Sequence, residues 1–152
     1  MRALIQRVST ASVHVTGEEV ASISTGILVL IGAEKGDTVT DAVTLAKKIS
    51  VLRIFDDDTG KMNLPIREAG GHALVVSQFT LCADTRKGRR PSFTRALEPK
   101  AAQELIKVFT QTLRDQGIGL VKEGVFGAHM KVELVNDGPV TFLLESKGGL
   151  VC

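Results

Sequence analysis

Two runs of alternating apolar residues near the C-terminus flank the segment Asn136-Asp137-Gly138-Pro139-Val140-Thr141. An Asp-Gly step in this setting predicts a tight β-hairpin between two strands. Proline follows at once, however, and it has no N–H with which to close a turn or join a ladder. A Gly-Pro peptide bond can also be cis. The hairpin is either irregular by accident or built to present backbone groups. Because local rules fail most often at functional sites, the second possibility calls for a search for a partner segment.

Composition favours a single folded domain over residues 1–152. The length suffices for a hydrophobic core, and a net charge of only +2 argues against affinity for nucleic acid or membranes over the whole surface. The longest apolar run, residues 26–33, is too short to span a bilayer, and the N-terminus has no secretory signal. Cys82 and Cys152 form neither a metal-binding spacing nor a disulfide framework. We therefore expect a cytoplasmic protein without membrane contact.

Apolar periodicity predicts an α+β fold. Alternating or continuous apolar runs indicate strands over residues 2–8, 11–16, 19–24, 27–31, 52–55, 72–78, 131–135 and 140–145. Helical spacing predicts one helix capped by Asp37 or Thr38 and a second that begins at Pro99 and ends near Gly117. We expect a mixed, largely antiparallel, barrel-like sheet with two main helices. The tail, residues 146–152, is expected to be loose.

The motifs of several common enzyme classes are absent. The sequence has no P-loop, no G-x-G-x-x-G, no H-E-x-x-H, no C-x-x-C and no G-x-S-x-G. The histidines, at positions 14, 72 and 129, have no carboxylate at a spacing that indicates a triad. The acidic run at 56–58 lacks the remaining pattern of a calcium loop and is interpreted as a solvated turn. Nucleotide cofactors, structural zinc and the α/β-hydrolase triad all lose support.

Polar residues appear where the apolar strand at 73–76 ends, in the order Ser77-Gln78-Phe79-Thr80-Leu81. Ser77 and Thr80 offer hydroxyl groups, and backbone N–H groups in this segment could stabilise a developing oxyanion. The alternative is a strand end with polar caps and no catalytic role, which position alone slightly favours.

A basic loop follows directly, with four cations among five residues: Arg86, Lys87, Arg89 and Arg90. One interpretation is a clamp for phosphate groups, for instance those of a nucleic acid. The other is a solvated loop without a partner, the more common case. Its place beside the polar strand end favours a functional role.

Together, the segments 77–81 and 136–141 resemble the two signature motifs of the D-aminoacyl-tRNA deacylase family. Ile5-Gln6-Arg7-Val8, Gly60-Lys61-Met62-Asn63-Leu64 and Arg90-Pro91-Ser92-Phe93 also resemble family segments in matching order. The resemblance implies hydrolysis of the ester that joins a D-amino acid to the terminal ribose of tRNA, by a cytoplasmic homodimer without a cofactor. It also implies that glycine mischarged on a non-cognate tRNA is accepted, because glycine has no side chain to reject.

The resemblance further assigns roles to residues. The Gly138–Pro139 peptide bond is expected to be cis and to reach the partner subunit's site, where it would exclude L-amino acids. The expected catalytic residues are Ser77, Gln78, Phe79 and Thr80. The expected substrate-binding residues are Gly138, Pro139, Arg86, Lys87, Arg89, Arg90, Phe126 and Met130. His129 departs from the family, which often has an acidic residue at this position.

Three hypotheses about the chemistry stay open at this point. In the first, backbone N–H groups around Phe79 and Thr80 stabilise the oxyanion and the 2′-hydroxyl of the tRNA assists the attack. In the second, Thr80 is a covalent nucleophile, which would need an adjacent base. In the third, the chain binds tRNA, or serves as a dimeric structural or ligand-binding protein, without hydrolysing anything.

Overall fold

A computed structural model describes residues 1–152 and contains nine strands, two α-helices and a 3₁₀ turn. In chain order the elements are β1 (Arg2–Val15), β2 (Glu18–Ile23), β3 (Gly26–Gly32), α1 (Val39–Val51), β4 (Arg53–Asp56), β5 (Met62–Pro65), β6 (His72–Ser77), the 3₁₀ turn (Phe79–Cys82), α2 (Pro99–Asp115), β7 (Val121–Glu123), β8 (Lys131–Lys147) and β9 (Leu150–Val151). Neither helix combines the length and the apolar character that crossing a bilayer requires.

The main sheet is mixed and curls into a half-barrel around β1. Along one edge, β1 pairs with β3 and then with β2, and along the other edge it pairs with β8, all antiparallel. Beyond β3 the pairings with β6 and then β7 are parallel. Strands β4 and β5 form a separate two-stranded sheet. The prediction of an α+β fold with a mixed sheet and two main helices is confirmed.

The core lies on both faces of β3, as its continuous apolar run predicts. Val29 and Ile31 belong to a cluster of 25 buried residues that includes both helices. Leu28 belongs to a smaller cluster of eight residues on the opposite face, with Leu74 and Val76 of β6. Because β3 and β6 are fixed from both sides, their carboxyl ends provide a rigid base for the groups that follow.

The prediction of a hairpin at 136–141 is wrong. The chain does not reverse there, and β8 runs along β1 on both sides of the segment, with Thr141 opposite Gln6 and Asn136 opposite Val8. The physical reason is that both flanking runs find their hydrogen-bond partners on the same long strand. The predicted break after residue 8 is also absent, since β1 is continuous. The residues between Asn136 and Thr141 therefore bulge out of a ladder that continues beyond them.

The loose tail expected at 146–152 is also wrong. Strand β8 extends to Lys147, which pairs with Leu150 of β9. Asp41, fully buried in α1, accepts hydrogen bonds from Ser146 Oγ at 3.1 Å and Gly149 N at 2.9 Å. Burial raises the pKa of this carboxyl, but hydrogen bonds from Gly149, Thr38 and Ser146 outweigh burial and hold it at about 2. A charged carboxylate thus anchors the C-terminal residues to α1.

Candidate active site

A cavity of about 550 Å³ opens at the carboxyl ends of β3 and β6. Its other walls are the beginning of α2 and the segment 126–132. Five residues expected from sequence line it together: Ser77, Gln78, Phe79, Phe126 and Met130. Most of the lining is apolar, and a mostly apolar cleft with a few convergent polar groups is the usual form of a small-molecule site.

The 3₁₀ turn at the cavity wall leaves two backbone amides unused. The ladder between β3 and β6 ends with Gln78 N donating to Ile31 O at 2.8 Å, and the first bond within the turn runs from Leu81 N to Gln78 O at 3.2 Å. The N–H groups of Phe79 and Thr80 precede that bond and have no acceptor inside the turn. The backbone just before the turn lies very close to β3. A Cβ at position 32 would be only 2.8 Å from Gln78 O, so glycine is needed there. Two fixed donors are thus available to a ligand.

The hydroxyl of Thr80 has no base beside it. Thr80 is exposed, and its Oγ1 accepts a hydrogen bond from the side-chain amide of Gln78. His129 lines the cavity, whereas Thr80 does not, and His129 makes no hydrogen bond to Thr80 or Ser77. Since a threonine hydroxyl is a weak nucleophile without a proton acceptor, the geometry does not activate this side chain.

Cys82, at the end of the turn, is buried and its Sγ donates to Ala33 O at 3.4 Å. Burial, reinforced by the nearby Glu34 carboxylate, raises the pKa of this thiol to about 11. It therefore stays protonated at neutral pH and is not a nucleophile, since the thiolate is the reactive form. No group of three or more His, Cys, Asp or Glu residues is placed to hold a metal ion.

The bulge at Gly138–Pro139 faces outward. Residues 137–139 are exposed, and the peptide bond between Gly138 and Pro139 is cis, as the resemblance implied. Gly138 has a φ of +141°, and a Cβ there would lie 2.6 Å from Val140 Cγ2. Only glycine fits this backbone.

Arg7 holds the bulge in place, and sequence reasoning assigned it no role. Its Nε donates to Asp137 O at 3.0 Å, and its Nη1 donates to Ile54 O at 3.0 Å and to Asp56 Oδ1 at 3.1 Å. On the other side, Asn136 Nδ2 donates to Val140 O at 3.0 Å. The sequence feature that could have revealed this role is the alternation of β1, which places Arg7 on the same buried face as Ala3 and Ile5. A buried charge requires partners.

The two signature segments lie apart within one chain. The 3₁₀ turn lies near the first residue of β1, where Arg2 Nη1 donates to Leu81 O at 3.2 Å. The bulge lies beside Arg7. Five residues of extended strand separate these points, which at about 3.3 Å per residue is roughly 16 Å. Neither Gly138 nor Pro139 lines the cavity of its own chain.

The basic loop lies next to the cavity, but its four cations are not equivalent. Arg86 Nε contacts both carboxylate oxygens of Asp84, at 2.9 and 3.1 Å, and this hydrogen bonding lowers the pKa of Asp84. Lys87, Arg89 and Arg90 are exposed and make no ion pair. The loop is closed by pairing of Asp84 with Ser92. Phe93 follows and packs edge-on against Phe79, with ring centroids 5.0 Å apart.

Comparisons with known proteins agree along nearly the whole chain. The family model described as "D-Tyr-tRNA(Tyr) deacylase" matches residues 4–145. The "D-aminoacyl-tRNA deacylase" of Thermomicrobium roseum is 57% identical over 146 residues, covering 96% of this chain and 94% of that protein. The protein of the same description from Geobacter sulfurreducens is 55% identical over 147 residues, with 97% and 96% covered.

Two solved structures are also similar. One, described as "c-Myc DNA Unwinding Element Binding Protein", has a TM-score of 0.90 and 39% identity, covering 97% of this chain and 100% of that chain. The other, described as a probable eukaryotic D-amino acid tRNA deacylase, has a TM-score of 0.75 and 19% identity, covering 93% and 97%. At that identity the second likeness concerns the fold alone.

Proposed function

This chain belongs to the D-Tyr-tRNA(Tyr) deacylase family, and from that premise we propose that it hydrolyses the ester of D-aminoacyl-tRNA in the cytoplasm, releasing the D-amino acid and tRNA. The proposal extends to glycine mischarged on a non-cognate tRNA. The observation that carries it is the 3₁₀ turn at the cavity wall, whose Phe79 and Thr80 amides have no acceptor within the turn.

In the proposed mechanism these amides stabilise the negative charge that develops on the ester carbonyl oxygen. Water adds to the ester carbonyl carbon, and the resulting oxyanion accepts hydrogen bonds from Phe79 N and Thr80 N. The bond to the ribose oxygen then breaks, and that oxygen leaves with a proton as a tRNA hydroxyl. The neighbouring 2′-hydroxyl of the tRNA assists the attack, since no protein base contacts the turn. Amides fixed before the reaction need no reorganisation as charge develops, which makes such donors effective.

Chiral selection is proposed to come from a second copy of the chain. Gly138 and Pro139 would enter the partner's cavity and exclude the side chain of an L-amino acid, while glycine would pass. Two observations support this homodimer: the bulge is exposed, and neither Gly138 nor Pro139 lines the cavity of its own chain. Arg7 and Asn136 supply the rigidity that a gate made of backbone needs.

The three unpaired cations of the basic loop are expected to bind tRNA phosphates. Changing Lys87, Arg89 and Arg90 to glutamate should weaken tRNA binding and reduce the slope of log affinity against log salt by about 2, because each lost phosphate contact removes about 0.7. Filter binding of tRNA across a salt series measures both quantities.

The matched control changes Lys47, Lys48 and Lys61 to glutamate, since these lysines are also exposed and make no ion pair. The control should keep most of the affinity and the slope. An unchanged slope in the loop variant, or an equal loss in both variants, would show that the loop is merely solvated.

The activity itself is tested with tyrosyl-tRNA carrying either D- or L-tyrosine. We expect many turnovers of free D-tyrosine per enzyme and no acceleration for the L-form. Binding of both tRNAs without release would instead favour a non-catalytic nucleic-acid-binding role, of the kind that the name of the 39% identical neighbour gives to that protein. Equal release from both forms would contradict the proposed gate.

A further inference from the structure

Arg2 connects the first residues of β1 to the 3₁₀ turn. Its Nη1 donates to Leu81 O at 3.2 Å. Its Nε lies 3.2 Å from Glu34 Oε1 and 3.2 Å from Glu145 Oε1. Nε and Glu34 Oε1 are buried atoms that are not aligned as a hydrogen bond, so this contact is an ion pair. The guanidinium is thereby held through Nε between two carboxylates, while Nη1 donates to the turn.

Arg2 contacts the residue whose N–H closes the 3₁₀ turn. Leu81 donates the bond that closes the turn on Gln78 O, so Leu81 is held through its N–H by Gln78 and through its carbonyl by Arg2. The amides of Phe79 and Thr80 lie between these two attachments. Their direction is thus fixed by two bonds, one of which comes from outside the turn.

Glu34 extends this connection to a second segment that lines the cavity. Its Oε2 accepts a hydrogen bond from Arg95 Nη2 at 2.8 Å, and Lys35 N donates to Arg95 O at 2.9 Å. The residues that follow, Ala96 and Leu97, line the cavity. One carboxylate, 17% exposed, therefore joins the arginine that contacts the turn to the segment that contains Ala96 and Leu97.

We infer that Arg2, clamped by Glu34, is a positioning residue that aims the Phe79 and Thr80 amides at the scissile carbonyl. The inference rests on the proposed function. Arg2 does not line the cavity, so it should govern the rate of the bound complex and leave tRNA affinity alone. A simple structural ion pair, by contrast, would contribute to stability only.

The test compares Arg2→Met with the matched control Arg114→Met. Arg114 makes the same kind of contacts and does not line the cavity, with Nη2 donating to Val121 O at 3.2 Å and pairing with Glu123 at 2.9 Å. Arg2→Met should lower the saturating single-turnover rate on D-tyrosyl-tRNA about tenfold, with half-saturation within about twofold of wild type. Arg2→Lys should recover only part of that rate. Lysine restores the positive charge, but one ammonium group cannot contact Leu81 O and both carboxylates at once. Arg114→Met should change neither quantity by more than about twofold.

A second readout does not depend on activity. In hydrogen–deuterium exchange, amides of residues 77–83 should exchange faster in Arg2→Met than in wild type and Arg114→Met, because one attachment of the turn is lost. Unchanged exchange there, or a rate loss equal in both methionine variants, would overturn the inference. If the wild-type chain releases no D-tyrosine, the proposed function fails, and the exchange measurement still decides whether Arg2 positions the turn.

Discussion

Replacing Phe79 with proline is expected to lower the single-turnover rate of D-aminoacyl-tRNA hydrolysis about 100- to 1,000-fold below that of Phe79→Ala. Both variants lose the aromatic ring and its contact with Phe93. Only proline also removes the backbone N–H that we assign to the oxyanion. Proline suits the first position of a helical turn, and Gln78 before it already lies outside the α region, at φ −146° and ψ 80°.

The comparison with Phe79→Ala isolates the N–H from the side chain. Thermal melting of both variants and their half-saturation with tRNA establish that the fold and binding survive. Equal rates in the proline and alanine variants would show that the amide of residue 79 does not contribute to catalysis.

Replacing Arg7 with methionine is expected to destabilise the protein by about 3 kcal/mol and to lower the rate on D-substrates about 100-fold. The substitution leaves Asp137 O and Ile54 O without their donor, and removing one partner of a buried charged network typically costs several kcal/mol. The estimate is at the low end of that range because Asp56 and Asp137 are more than half exposed. The rate falls because the bulge is no longer fixed, and a displacement of about 1 Å can cost about 100-fold.

Urea unfolding at a fixed protein concentration measures the first effect, and paired D- and L-substrate assays measure the second. The control is Arg53→Met, one residue from Ile54, where Nε donates to Asn63 O at 2.7 Å at an exposed position. That variant should keep both stability within about 1 kcal/mol and the preference for the D-form. An Arg7→Met protein with normal stability and a normal rate on D-substrates would contradict the role assigned to Arg7.

Local sequence patterns correctly predicted the strands and helices whose burial and boundaries depend on their own residues. The apolar run of β3 identified a strand buried on both faces, and Pro99 identified the start of α2. The hairpin at 136–141 was mispredicted because turn chemistry is local, whereas strand pairing depends on a partner about 130 residues away. Strands β7 and β9, of three and two residues, are too short for a periodic signal.

The motifs indicated a candidate site, but they did not indicate its supporting contacts. The polar strand end at 77–81 indicated where chemistry could occur, and the structure adds the turn that leaves two amides unused. Arg7 and Arg2 escaped notice because their carbonyl partners lie 130 and 79 residues away. The basic loop was visible in composition, yet only the structure separates Arg86, neutralised by Asp84, from the three free cations.

The most direct test of backbone catalysis is the single-turnover rate of Thr80→Ala on D-aminoacyl-tRNA, with rapid-quench analysis for a covalent aminoacyl-enzyme. The variant keeps the N–H of residue 80 and loses the γ-methyl group and the hydroxyl that Gln78 contacts. We predict a rate within about threefold of wild type, because losing an oxyanion donor itself would cost about 100-fold or more, and no covalent intermediate in either protein. Near-complete loss of the rate with fold and tRNA binding intact, or a trapped aminoacyl-threonine in the wild type, would contradict the backbone mechanism.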